Sequence, residues 1–152
     1  MSLKLNKLIA GAALSLLAGT AAQAQTVLKV HHFLPSGSSS QVKIIAPWCA
    51  KIEKESGGEL KCQIYPAMQL GGTPPQLLDQ VRDGVADIVW SVPTYSAGRY
   101  TKSEVFELPF MAINAKQGSQ ALWEYVQKNA LDEYKGIKPL FMHTTEGYVL
   151  HS

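Results

Sequence analysis

Four histidines, twelve carboxylates and a scatter of serines are the groups in this chain that could do metal, acid–base or nucleophilic chemistry. Their spacing argues against each. His31 and His32 are neighbours in a β-favouring run, so their side chains point to opposite faces and cannot easily share one ion. His143 and His151 have no Cys, Asp or Glu at metal-ligand spacing. No serine sits in a G-x-S-x-G elbow, and Gly71-Gly72 runs into prolines, not into the lysine of a phosphate loop. Glu104 and Glu107 read as a solvated face. The residues therefore assign no catalytic group, no metal site and no cofactor. What remains are two polar-aromatic loops, Leu34–Ser40 and Ser91–Tyr100, each following an apolar run. Each reads either as a plain turn or as a ligand loop, because open α/β sheets bind ligands outside the carboxyl ends of their strands.

The elements that would position these loops centre on Leu60–Trp90. Leu60–Tyr65 is a short β-favouring run that Pro66 stops. Gly71 and Gly72 make a flexible corner. Thr73-Pro74-Pro75-Gln76 opens a helix, with Thr73 and Gln76 at capping-box spacing and Pro74 at the first helical position. Leu77, Leu78, Val81 and Val85 mark its apolar side, and Gly84 fits its left-handed stop. Ala86–Trp90 is a second strand. Strand, helix, strand is most often a parallel unit with a right-handed crossover. The predicted fold class is α/β, an open, mostly parallel sheet with helices on both faces.

Around this unit, Val27–Phe33 is a first strand, with Leu28, Val30 and His32 on one face and Val27, Lys29, His31 and Phe33 on the other. Gln41–Ser56 is a helix whose Val42, Ile45, Trp48, Cys49 and Ile52 recur at helical spacing. Pro47 either kinks it or marks its true start. Val105–Phe110 reads as a short extended piece ended by Pro109. Lys116–Tyr134 is a helix burying Leu122, Tyr125, Val126 and Leu131, with Gly136 as its stop. Lys138–His143 is a last strand around Leu140-Phe141-Met142.

Residues 1–24 carry a secretory leader. Lys4 and Lys7 give a positive start, and Leu8 to about Gly19 is apolar but too short for a ~30 Å hydrocarbon core. Ala22-Gln23-Ala24 is a small-x-small cleavage site. The expected domains are thus residues 1–24, removed on export, and residues 25–152, a periplasmic lobe beginning at Gln25. Without Lys4 and Lys7, the 14 basic residues fall to 12 against 12 acidic ones. No basic run or stripe marks a nucleic-acid surface.

Cys49 and Cys62 are expected to form a disulfide in an oxidising compartment. Cys49 lies about 12 Å back along its helix from the Gly57-Gly58 turn, at ~1.5 Å per residue. Cys62 lies about 13 Å along the following strand, at ~3.3 Å per residue. The two sulfurs come level. The bland alternative is a pair of buried thiols.

The ordered set YPAMQLGG, DGVADIVW and FELPFM (106–111) resembles the solute receptors of tripartite ATP-independent periplasmic (TRAP) transporters, over Val27 to the last residue. The resemblance implies the N-terminal lobe of a two-lobed binder of small organic acids, truncated before its second lobe, that delivers its ligand to membrane subunits. By position it implies ligand contacts at His32, Phe33 and Ser38 after the first strand, and at Trp90, Ser91 and Tyr95 after the third. The crossing segment contributes Glu146, Tyr148 and His151. The family's carboxylate-anchoring arginine belongs to a Lys-Ile-Arg-like stretch of the second lobe. Arg99 does not occupy that position. Val92 and Tyr95, where some relatives carry charge, hint at an apolar or aromatic ligand body. The alternatives from other classes are a small secreted enzyme and a periplasmic sensing or interaction domain.

Overall fold

A computed structural model describes residues 25–111 and 114–145. The leader and residues 146–152 lie outside the described residues, and with them Glu146, Tyr148 and His151.

Three strands form one parallel sheet: β1 (Thr26–His32), β2 (Leu60–Tyr65) and β3 (Ile88–Trp90). The order is β2-β1-β3, so the chain crosses over β1 between its second and third strands. Thr26 pairs with Leu60 and His31 with Tyr65; Val30 pairs with Ile88 and His32 with Trp90. β1 is thus central, and among the described residues the far edge of β3 has no neighbouring strand.

Alternation along the strands divides the core between the two faces. On one face Val30 packs with Ile45 and Cys49, joined by Trp48, Cys62, Ile64, Ile88 and Trp90. The helix covering it is α1 (Ala46–Glu55), preceded by a π-helical turn, Gln41–Ile45. Pro47 has no N–H to give to the ladder, and the regular helix starts beside it. The wide turn inserts an extra residue and shifts the phase. Val42, expected on the buried side, is exposed, while Ile45 and Cys49 are buried. Cys49 and Cys62 are joined as a disulfide with Cα atoms 5.6 Å apart.

The other face packs on α2 (Leu77–Arg82), which follows a 3-10 turn at Pro74–Gln76. The Gln76 side-chain carbonyl accepts from the Thr73 N–H at 2.8 Å and the Thr73 hydroxyl at 3.1 Å. Leu77 and Leu78 are buried, whereas Val85 is exposed because the helix has already ended and Gly84 has turned left-handed (φ +76). Two further helices complete this layer: α3 (Thr101–Glu104) and α4 (Ala115–Asn129). The Asn114 side chain caps α4 by accepting from the Gln117 N–H at 2.9 Å. The Glu133 carboxylate accepts from the N–H groups of Lys102 and Ser103 at 2.7 and 3.2 Å, closing the start of α3. Tyr134 stacks on Tyr100 with centroids 4.9 Å apart and donates to the Ser103 hydroxyl at 2.8 Å. Burial pushes its phenol up to about 12.

Three sequence expectations are corrected here. Val105–Phe110 is not extended, since Val105–Glu107 is a 3-10 turn closed by a bond from the Leu108 N–H to the Val105 carbonyl. The helix expected to reach Tyr134 stops at Asn129 and resumes as a 3-10 turn, Leu131–Tyr134. That break moves the buried positions to Ala130 and Tyr134 and leaves Leu131 exposed. Lys138–His143 is not a strand, because it pairs with no neighbour among the described residues.

Candidate ligand-binding groove

The unpaired edge of β3 opens onto a groove of 890 Å³. Residues from both faces of the strand line it: Ile88 and Trp90 from one, Val89 from the other. Lys138–Thr145 forms part of its wall, with Phe106–Met111 along another side. The volume falls within the ~300–1,000 Å³ usual for small-molecule sites.

Aromatic rings gather at the carboxyl end of β3. The Trp90 ring meets Phe141 edge-on at 5.5 Å and His143 at 4.9 Å, and Phe141 and His143 lie nearly parallel at 6.2 Å. Ser91, Val92 and Thr94 continue the wall past the strand end. Among the described residues, the charged lining side chains are Asp87, Glu107 and Lys138, and no arginine reaches the groove. Asp87 already accepts from the Lys29 N–H at 2.7 Å. Arg99 stands elsewhere, forked onto the Asp79 carboxylate at 2.8 and 2.9 Å, with Arg82 adding a third bond at 2.8 Å. That pairing holds Asp79 below the usual carboxylate range.

The contacts expected from the sequence separate into groups. Trp90 and Ser91 line the groove. Phe33 and Tyr95 meet edge-on at 5.4 Å and form an aromatic pair outside the groove lining. The Ser38 hydroxyl accepts from the Gln41 N–H at 3.3 Å, which makes it a turn cap. His32 is fully buried, with the Gln41 side chain and the Leu34 backbone as its polar neighbours. Burial pushes its imidazole below the ordinary value. Phe141 and His143 were missed. Read as strand residues they share a face, and that alternation was the available signal.

Behind the β1 end, His31 is a structural hub. Its Nδ1 lies 2.8 Å from the Gln80 side-chain carbonyl, and its Nε2 accepts from the Leu70 N–H at 3.4 Å. The Gln80 amide donates onward to the Gly71 carbonyl at 2.9 Å. An acceptor on one side and a donor on the other select the neutral ring with its proton on Nδ1. Burial favours the same neutral form. The turn after β2 is tied back as well: Ala67 donates to the Leu34 carbonyl at 2.9 Å and Met68 to that of His32 at 3.1 Å. Both take left-handed φ, 49° and 58°, an unfavourable region for side-chain-bearing residues that their bonds hold in place. Among the described residues no group of His, Cys, Asp and Glu could hold a metal ion.

A parallel sheet with helices on its faces and a groove along the open edge of β3 defines an open α/β lobe, and sequence comparison names the family. The chain belongs to bacterial extracellular solute-binding protein family 7 (DctP), whose pattern matches residues 30–149. A TRAP solute-binding protein from Rhodoferax ferrireducens T118, solved with copurified benzoate, is 49% identical with a TM-score of 0.76, over 78% of this chain and 37% of that one. A marine metagenome TRAP solute-binding protein specific for aromatic acids, solved with 3-hydroxybenzoate, is 52% identical with a TM-score of 0.76, over 79% and 38%. The outer membrane transporter protein TsaT of Comamonas testosteroni is 29% identical over 71% of this chain and 31% of its own. The chain spans about a third of the length of the curated relatives it matches.

Proposed function

We propose that this chain is the first lobe of a periplasmic receptor that captures small aromatic carboxylates and hands them to the membrane subunits of a TRAP transporter. The observation that carries the reading is the cluster of aromatic rings, Trp90, Phe141 and His143, on the groove wall at the carboxyl end of β3. Flat rings pack well in such edge-on arrangements, which favour a planar ligand body. The benzoate and 3-hydroxybenzoate held by two similar proteins support the same ligand class. Ser91 offers a hydroxyl beside these rings, and Phe33 and Tyr95, outside the groove lining, join the contact set by resemblance alone. Glu146, Tyr148 and His151 complete the contact set by resemblance. The role is capture and release, with no chemical step.

The groove brings no arginine to a carboxylate among the described residues. A bidentate arginine from a second lobe supplies that charge-assisted contact and closes the wall against water. Exposed ion pairs are worth only ~0–1 kcal/mol, too little to hold a small acid. Calorimetry of the full-length receptor against benzoate should give micromolar or tighter binding, whereas residues 25–152 alone should bind far more weakly. Micromolar binding by the isolated lobe would show that it holds a complete site. No binding of any aromatic acid by the full-length protein would reject the ligand class.

A further inference from the structure

We propose that His143 reads a hydroxyl group on the aromatic ring of the ligand, accepting its hydrogen bond at Nε2. The inference rests on the aromatic-acid reading above and names the residue that would set preference within that class.

His143 is exposed and lines the groove. Its ring stands 4.9 Å from Trp90 at an angle of 58°, and nearly parallel to Phe141, so its plane is set by two aromatic neighbours. Its Nδ1 lies 3.4 Å from the Thr144 carbonyl oxygen. A carbonyl can only accept, so this contact puts the proton of the neutral ring on Nδ1. Nε2 is then a bare acceptor, and among the described residues no hydrogen bond reaches it. The other side chains of the aromatic cluster are Trp90, whose indole N–H can only donate, and Phe141, which does neither. His143 is therefore the one of these three rings that can satisfy a phenolic O–H. A ligand ring lying over His143 takes Nε2 away from water, so an unsubstituted acid leaves that covered acceptor unfilled while a hydroxylated one fills it, and such a site discriminates against ligands that lack the partner.

The test is calorimetry on the full-length receptor with benzoate and 3-hydroxybenzoate, comparing wild type with His143→Phe and His143→Gln. Wild type should favour the hydroxylated acid by about tenfold, the scale of one net hydrogen bond. His143→Phe keeps an aromatic ring and removes the acceptor, so the ratio of 3-hydroxybenzoate to benzoate affinity should fall to about one, whatever the change in benzoate affinity itself. His143→Gln restores an acceptor on a flexible stem and should recover part of the preference, which also guards against a misfolded Phe variant. Benzoate binding without preference in wild type would overturn the inference alone, as would a preference that survives in His143→Phe. Failure of wild type to bind either acid would overturn the functional reading and the inference with it.

Discussion

Gln80→Leu should destabilise the protein through a residue that touches no part of the groove. The Gln80 carbonyl takes the Nδ1 proton of His31, whose side chain is fully buried. Leucine has similar bulk and removes the acceptor. The imidazole then keeps a buried donor with no partner, which costs about 1–3 kcal/mol. The Gly71 carbonyl also loses its donor, but that bond is exposed and water replaces it. Urea unfolding should show a midpoint lowered by the equivalent of about 1–3 kcal/mol with an unchanged slope. In a thermal scan, roughly 4 °C is lost per kcal/mol for a domain of this size. A cycle with His31→Leu isolates the bond. Removing both partners abolishes the unsatisfied group, so the double variant should be more stable than the sum of the two single losses implies. A loss under about 0.5 kcal/mol for Gln80→Leu, or strictly additive losses in the double variant, would refute the account of His31 as a bonded neutral hub.

Burial holds both His31 and His32 below the ordinary histidine value of 6.5. The unfolded chain therefore binds protons that the folded one refuses, and stability present above about pH 6.5 should drain away as the pH falls below it. Urea midpoints that stay flat from pH 8 to 5 would contradict this. Reducing the Cys49–Cys62 bridge, which spans 13 residues in sequence, should cost about 2–3 kcal/mol. Two titratable thiols in denatured, unreduced protein would reject the bridge. Export should remove residues 1–24, and mass spectrometry of periplasmic protein should find Gln25 or its cyclised form as the first residue; a retained Met1 would exclude cleavage.

How much could be read from the residues differs by element. β2 was legible to its exact limits because Gly57-Gly58 and Pro66 punctuate it on both sides. β3 is shorter than its apolar run, since pairing with β1 begins only at Ile88. The start of α1 was ambiguous because one proline is compatible with a kink and with a start, and a π-helical turn leaves no mark in periodicity. Phe106 to Phe110 alternates like a strand, yet local N–H groups bond three residues back. Lys138–His143 has strand composition, but a strand also needs a neighbour, and no single segment encodes its neighbour. In the groove, Ser91 followed from the strand-end rule, and Trp90 from the resemblance. His32 did not, because the same rule says nothing of what later covers a side chain. Phe141 and His143 were hidden by being read as part of a paired strand.

The central place of β1 also governs the order in which the molecule can be assembled. The first strand to be synthesised needs both of its neighbours from later sequence, and on the β3 side the Lys29–Asp87 bond joins residues 58 positions apart. Closing so long a loop costs chain entropy before any ladder forms, and such distant pairings slow folding. A freshly made chain thus stays pliant until the whole β1–β3 segment is available.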